Sequence, residues 1–111
     1  MSEVTTRQII GNTYDTQELS CTEDTAFLPS AFTTTMRKSY IEIQITPTLS
    51  SELTVSRTID TTTTDSLLNR GIALVAGAAY TFTVRANFGD SFNLKYGTTD
   101  TIKEIYVTEI L

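Results

Sequence analysis

From Tyr80 onward the chain alternates apolar and polar side chains with a period of two. Tyr80, Phe82, Val84 and Ala86 interleave with Thr81, Thr83, Arg85 and Asn87, and Phe88-Gly89-Asp90-Ser91 breaks the pattern. Phe92, Leu94 and Tyr96 resume it, and Thr101 to Leu111 carries a last apolar stretch. Strands send successive side chains to opposite faces, whereas a surface helix needs apolar residues three and four apart. The periodicity therefore specifies strands with one buried and one solvated face, and the carboxyl end is expected to be fixed in a sheet.

At 111 residues and 12.3 kDa the chain holds one domain, residues 1–111, because two separate cores would not fit. A domain of this size buries roughly two-thirds of the surface its unfolded chain exposes, enough to fold without disulfides or metal. Apolar residues supply 40% of the sequence, slightly below ordinary globular usage. Thr makes up the difference at about a fifth of the residues, and its β-branched side chain suits strands. Such a composition predicts sheets with a hydroxyl-rich outer face.

The net charge of −5 and pI near 4.5 argue against nucleic acid as a partner. Phosphate recognition needs clustered Lys and Arg, and Arg37-Lys38, read as part of a solvated turn, is the only adjacent basic pair. An anionic membrane surface is disfavoured for the same reason, and no apolar run has the length of a membrane span. Met1-Ser2-Glu3-Val4-Thr5-Thr6 lacks the basic and apolar regions of a secretion signal. Synthesis in a cytoplasm without a signal peptide is the expectation, and the single Cys21 fits a reducing compartment. With no His and no second thiol, Cys21 reads as a packing residue rather than a nucleophile.

Along the chain, Val4 to Ile10 reads as a first strand, Gly11-Asn12 as a tight hairpin turn and Tyr14 to Thr22 as the return strand. Residues 23–36 form an irregular loop, with the apolar run Phe27-Leu28-Pro29-Ser30-Ala31-Phe32 broken by a Pro that no central strand accepts. Its default reading is packing over an open end of the core. The sharper reading makes Phe27, Leu28, Phe32 and Met36 contacts to another subunit, since aromatic residues anchor interfaces. An extended N-terminal arm, residues 1–10 with Val4 and Ile9, is a second contact candidate, because a terminal strand can join a neighbour's sheet.

Lys38 to Thr46 is the clearest strand of the first half, with Ile41, Ile43 and Ile45 opposite Tyr40, Glu42, Gln44 and Thr46. Glu52 to Ile59 follows, with Leu53, Val55, Arg57 and Ile59 alternating against Thr54, Ser56 and Thr58. The two read as a hairpin joined by Thr48-Leu49-Ser50-Ser51. The run Asp60-Thr61-Thr62-Thr63-Thr64-Asp65 reads as an exposed loop, because it has nothing apolar to bury. Its two carboxylates lack the ligand spacing of a calcium loop. Ser66 to Arg70 is either one helical turn capped by Asp65 and ended by Gly71, or the start of a strand continuing through Ile72, Leu74 and Val75. The sum is about seven to nine short strands and no helix of normal length, hence an all-β fold, a single antiparallel β-sandwich or jelly roll.

Enzyme chemistry has few places to reside. The lack of His removes the usual general base, the hydrolase triad and most zinc sites. The five glycines are spaced as turn residues rather than as a nucleotide fingerprint. Glu42, Glu52, Asp90 and Glu104 could supply a carboxylate pair, but each falls on a polar face or in a turn, where a solvated surface accounts for it. Gly89-Asp90 is accounted for by the turn it makes. The chain is expected to be no enzyme and to hold no cofactor or metal.

The stretch Gly71-Ile72-Ala73-Leu74-Val75-Ala76-Gly77-Ala78-Ala79-Tyr80-Thr81-Phe82-Thr83-Val84, then Gly89-Asp90-Ser91-Phe92-Asn93-Leu94 and Ile102 to Ile110, resembles small accessory virion proteins of tailed bacteriophages and similar viruses. The resemblance covers about the last third of the chain and rests on strand patterning. It implies that these strands form one half of a β-sandwich. It also implies a structural role in the virion: a capsid decoration, head-vertex, neck or tail component, a homo-oligomer bound to other virion proteins such as a major capsid protein. The alternative from another class is a carbohydrate- or receptor-binding module of a fibre or adhesin. Tyr14, Tyr40, Phe88, Tyr96 and Tyr106 are its supply of stacking rings, and Trp is missing.

Overall fold

The computed structural model describes residues 9–16, 18–28, 31–35 and 38–110, with the backbone alone described for 9–16 and 38. In chain order its strands are β1 (Ile9–Thr16), β2 (Leu19–Cys21), β3 (Phe32–Thr33), β4 (Lys38–Thr46), β5 (Leu53–Ile59), β6 (Thr62–Leu67), β7 (Tyr80–Asn87), β8 (Ser91–Tyr96), β9 (Asp100–Ile102) and β10 (Glu104–Ile110). The strands pair antiparallel throughout. One sheet has the order β1-β10-β4-β7, the second the order β3-β8-β5-β6, and β2 and β9 make a small ladder of their own.

This order is that of a jelly roll. The chain changes sheets between β3 and β4, β4 and β5, β6 and β7, and β7 and β8, and it stays in one sheet only through the β5–β6 hairpin. The expected all-β antiparallel sandwich is therefore what the chain forms. The apolar phase of each strand explains the layering. Ile41, Ile43 and Ile45 of β4 and Ile105 and Val107 of β10 face Leu53 and Val55 of β5 and Phe92, Leu94 and Tyr96 of β8, in one continuous buried cluster. Removing this much apolar surface from water is the main force holding the sheets together.

Four expectations about connectivity are corrected. The predicted turn at Gly11-Asn12 is instead inside β1, which pairs along β10 with a register shift between Ile9 and Thr13. A bulge uses the same backbone freedom as a turn, so the dipeptide signals both. The β4–β5 hairpin does not exist, because the two strands lie in opposite sheets and residues 47–52 carry the chain across. The Thr run is not a loop: only Asp60-Thr61 turn, with Asp60 at φ 56, and Thr62–Leu67 pair with β5 although every one of them is exposed. Backbone pairing and β-branched propensity suffice for such an edge strand without buried side chains. Finally, β7 and β10 belong to the first sheet but β8 to the second, so the C-terminal strands do not make one half of the sandwich.

The segment after β6 matches neither expected form. Asn69–Gly71 make one tight turn with φ 55, 56 and 77, and Leu74 then bridges to Ser51 under the core. At Gly97 a Cβ would meet Ser51 Oγ and lie 3.2 Å from Glu52 Oε1, so any larger residue there would displace these two side chains.

Candidate interaction surface

The loop picked out for subunit contacts is spent on the chain's own interior. Phe27 NH donates to the Leu94 carbonyl at 3.0 Å and Leu28 NH to Asn93 Oδ1 at 2.9 Å, so the segment zips along β8. Phe27, Leu28 and Phe32 are consequently buried within this chain, at 7%, 6% and 6% exposure. They pack in the chain's own core, the default reading of this loop, and so present little surface of their own to a neighbour. Met36 and Val4 lie outside the described residues; Ile9 pairs with Ile110 through the backbone. Among the aromatic supply, Tyr96 is fully buried, Tyr106 half-buried, and Tyr40 and Phe88 exposed. The Tyr14 side chain is outside the description.

The carboxylates do not converge. Glu52 and Glu104 are exposed and Glu42 is half-buried, whereas Asp90 is buried rather than solvated. Asp90 accepts from Asn87 NH at 3.1 Å and lies 3.8 Å from Arg57 Nε, which fixes the turn between β7 and β8. Asp60 and Asp65 do not share a site either: Asp65 accepts from Ser56 Oγ at 2.6 Å and pairs with Lys95 Nζ at 3.0 Å. The Ser56 hydrogen bond, followed by Lys95, holds its carboxyl below the usual range. Among the described residues no three His, Cys, Asp or Glu side chains are grouped to hold a metal ion.

Two buried carboxylates escaped the sequence reading. Asp100 Oδ2 accepts from Thr48 NH at 3.0 Å and Leu49 NH at 3.1 Å, while Oδ1 takes the Thr48 hydroxyl and Thr101 NH at 2.7 Å. Glu109, with no exposure, accepts from Thr35 NH and hydroxyl and from Ser39 Oγ at 2.8 Å. Each ties a crossover loop to a strand. Cys21 is buried and its Sγ faces the Thr98 carbonyl at 3.6 Å; burial pushes the thiol pKa up, which makes it a poor nucleophile.

What the fold leaves open is the side where β6 and β7 form the sheet margins. An open cleft of about 320 Å3 separates them, walled by Val55, Ile59, Leu68 and Val84, with Thr64 and Ser66 at the rim. Arg57 crosses it: the guanidinium stacks 5.1 Å from the Phe92 ring centroid and donates to the Arg85 carbonyl on β7. It thereby bridges the second sheet to the first. Tyr80, Phe82 and Val84 on the inward face of β7 remain half-buried, Ile59 is 51% exposed, and Phe88 at the end of β7 is 71% exposed. Partly exposed apolar side chains thus collect along this one margin. Comparison with protein-family models, curated proteins and solved structures returned no match.

Proposed function

We propose that this chain is a non-enzymatic structural subunit of a viral particle, a capsid decoration or another head, neck or tail accessory protein that binds neighbouring subunits. The observation that carries the reading is the strand order, two four-stranded sheets wound as a jelly roll. Viral capsid and lectin domains share that architecture. The viral setting is drawn from this analogy of fold and from the resemblance of Gly71 to Leu111, not from a site. The surface supports it in kind: polar, hydroxyl-rich sheet faces with an apolar cleft along one open margin. The buried acids spend their oxygens on amides and hydroxyls of the fold, a structural use.

Location tests it. An epitope-tagged chain expressed from its own genome should band with assembled particles on a density gradient and stay bound through a salt wash. A tagged chain found wholly among free proteins at the top of the gradient contradicts the proposal. The second reading, a carbohydrate- or receptor-binding module, has one observation in its favour: the ring of Phe88, 71% exposed on a turn. Glycan-array binding that disappears in Phe88→Ala would move the weight to it.

A further inference from the structure

We infer that the cleft between β6 and β7 binds a small monoanion with an apolar body, an aliphatic carboxylate of about eight carbons, with Arg57 as its anchor. The site goes beyond the reading of the chain as an assembly subunit, and it holds or fails independently of that reading.

The cleft follows from the pairing of β5 with β6. Val55, Arg57 and Ile59 lie opposite Ser66, Thr64 and Thr62, and opposite residues of an antiparallel pair share a face. The inward face of β6 is therefore made of three small hydroxyl residues, where β4 and β8 present Ile, Phe and Leu to the core. Such short side chains do not fill the space toward β7, and about 320 Å3 stays open, with Val55, Leu68 and Val84 among its walls. Every residue that walls it belongs to the described part of the chain. Ligand clefts run from about 300 to 1,000 Å3 and are mostly apolar with a few placed polar groups. This one is at the small end of that range, which limits its occupant to a small molecule.

Arg57 sets the charge of the occupant. A guanidinium has five N–H donors. Nη2 donates to the Arg85 carbonyl and Nε stands 3.8 Å from Asp90 Oδ2, whereas no described residue accepts from Nη1. The side chain keeps 31% exposure although the Phe92 ring and the Arg85 carbonyl hold it in place. A cation fixed in this way loses little freedom on binding, and its planar fork matches a carboxylate. Asp90 beside it and the net charge of −5 act against anions of higher charge, so a single carboxylate is favoured over a phosphate. Thr64 and Ser66 supply hydroxyls at the rim, and the apolar body lies against Val55, Leu68 and Val84, where displaced water gives up no hydrogen bond to the walls. Each CH2 taken from water should tighten binding about fourfold. For a ligand of about ten non-hydrogen atoms in a cleft this open, Kd falls at about 0.1–1 mM.

The test is titration of the isotope-labelled full chain with octanoate, followed by amide chemical shifts, beside hexanoate and octylammonium. Octanoate should shift the amides of β5, β6 and Val84 saturably, with a Kd of about 0.1–1 mM. Hexanoate should bind about fifteenfold more weakly for its two missing CH2 groups. Octylammonium, the same chain under a cation, should bind at least about tenfold more weakly than octanoate, although the negative protein attracts cations in general. Arg57→Gln should erase the preference for octanoate over octylammonium. Because Arg57 also braces this margin, Ser66→Phe is the second variant: Ser66 is exposed on an edge strand that accepts an aromatic residue, and the ring occupies the cleft. It should weaken octanoate at least about tenfold while melting by circular dichroism shows a folded chain. Octanoate shifts that never saturate, or that scatter over the whole molecule, overturn the inference. Equal binding of octanoate and octylammonium, or a folded Ser66→Phe protein that binds octanoate like the wild type, overturns it as well.

Discussion

Replacing Asp100 with Asn changes one oxygen to an amide and almost no volume, yet it should cost as much as a core truncation. Asp100 is buried at 7% exposure and acts only as an acceptor, for Thr48 NH, Leu49 NH, Thr101 NH and the Thr48 hydroxyl. An Asn side chain has one accepting oxygen, so its NH2 must face two of these four donors. Hydrogen bonds to a charged group contribute about 1.5–3 kcal/mol each. Losing two of them, with partial rehydration of the Thr48–Leu49 turn, gives a destabilisation of about 3 kcal/mol. For a domain this size that lowers Tm by about 12 °C, at roughly 4 °C per kcal/mol. The assay is urea unfolding followed by far-UV circular dichroism, since the chain has no Trp. Asp100→Ala should be at least as damaging, because it orphans all four donors. An Asp100→Asn protein within about 0.5 kcal/mol of the wild type, the usual span of neutral surface changes, would refute the view that this carboxylate clamps the 47–52 crossover.

Phe27→Ala or Phe32→Ala should each cost about 3–5 kcal/mol as buried ring deletions and reduce the folded fraction, rather than selectively weakening assembly; chemical denaturation distinguishes these outcomes. Arg57→Met should loosen the open margin by about 2 kcal/mol, because it strips the ion pair from buried Asp90 and the link to the Arg85 carbonyl; hydrogen exchange should rise at residues 85–91. Burial pushes the Tyr96 phenol up to about 12, so the folded state holds its proton more tightly than the unfolded chain. That stability is complete below about pH 10, the unfolded value, and is lost as pH rises toward the folded one. Alkaline melts should show a fall that is flattened in Tyr96→Phe, a variant that also loses the 2.5 Å hydrogen bond to the Leu49 carbonyl.

Side-chain phase was the legible part of the sequence. The inward positions of β4 and β8 and the first half of β5 are buried where alternation put them, from Ile41, Ile43 and Ile45 through Leu53 and Val55 to Phe92, Leu94 and Tyr96, whereas Arg57 is half-buried and Ile59 exposed at the open margin. Alternation assigns faces but not neighbours, so β4 and β5, both with a good inner face, read equally well as a hairpin or as strands of opposed sheets. Burying both faces against each other across the sandwich is what separates them. The Thr run misled because its pairing is backbone pairing, which leaves no hydrophobic signature. Signals for two inward-facing charged residues were present: buried Glu109 keeps phase with Ile105 and Val107, and half-buried Arg57 with Leu53 and Val55. A charged residue on an apolar phase predicts a partner inside the fold, here Ser39 and Thr35 for the acid and Arg85 and Asp90 for the base. Asp100 keeps phase with Ile102 on β9, but its loop partners come from residues about fifty positions away, beyond any local pattern. The open margin beside β7 depends on how far the sheets diverge, a property of the assembled sandwich alone.

The central claim is that this jelly roll is a building part of a particle. Quantitative mass spectrometry of gradient-purified particles measures it most directly, through the ratio of this chain to the major capsid subunit. A fixed ratio, reproducible between preparations and unchanged by a salt wash, is the predicted result. A trace, variable or absent signal in intact particles would contradict the account.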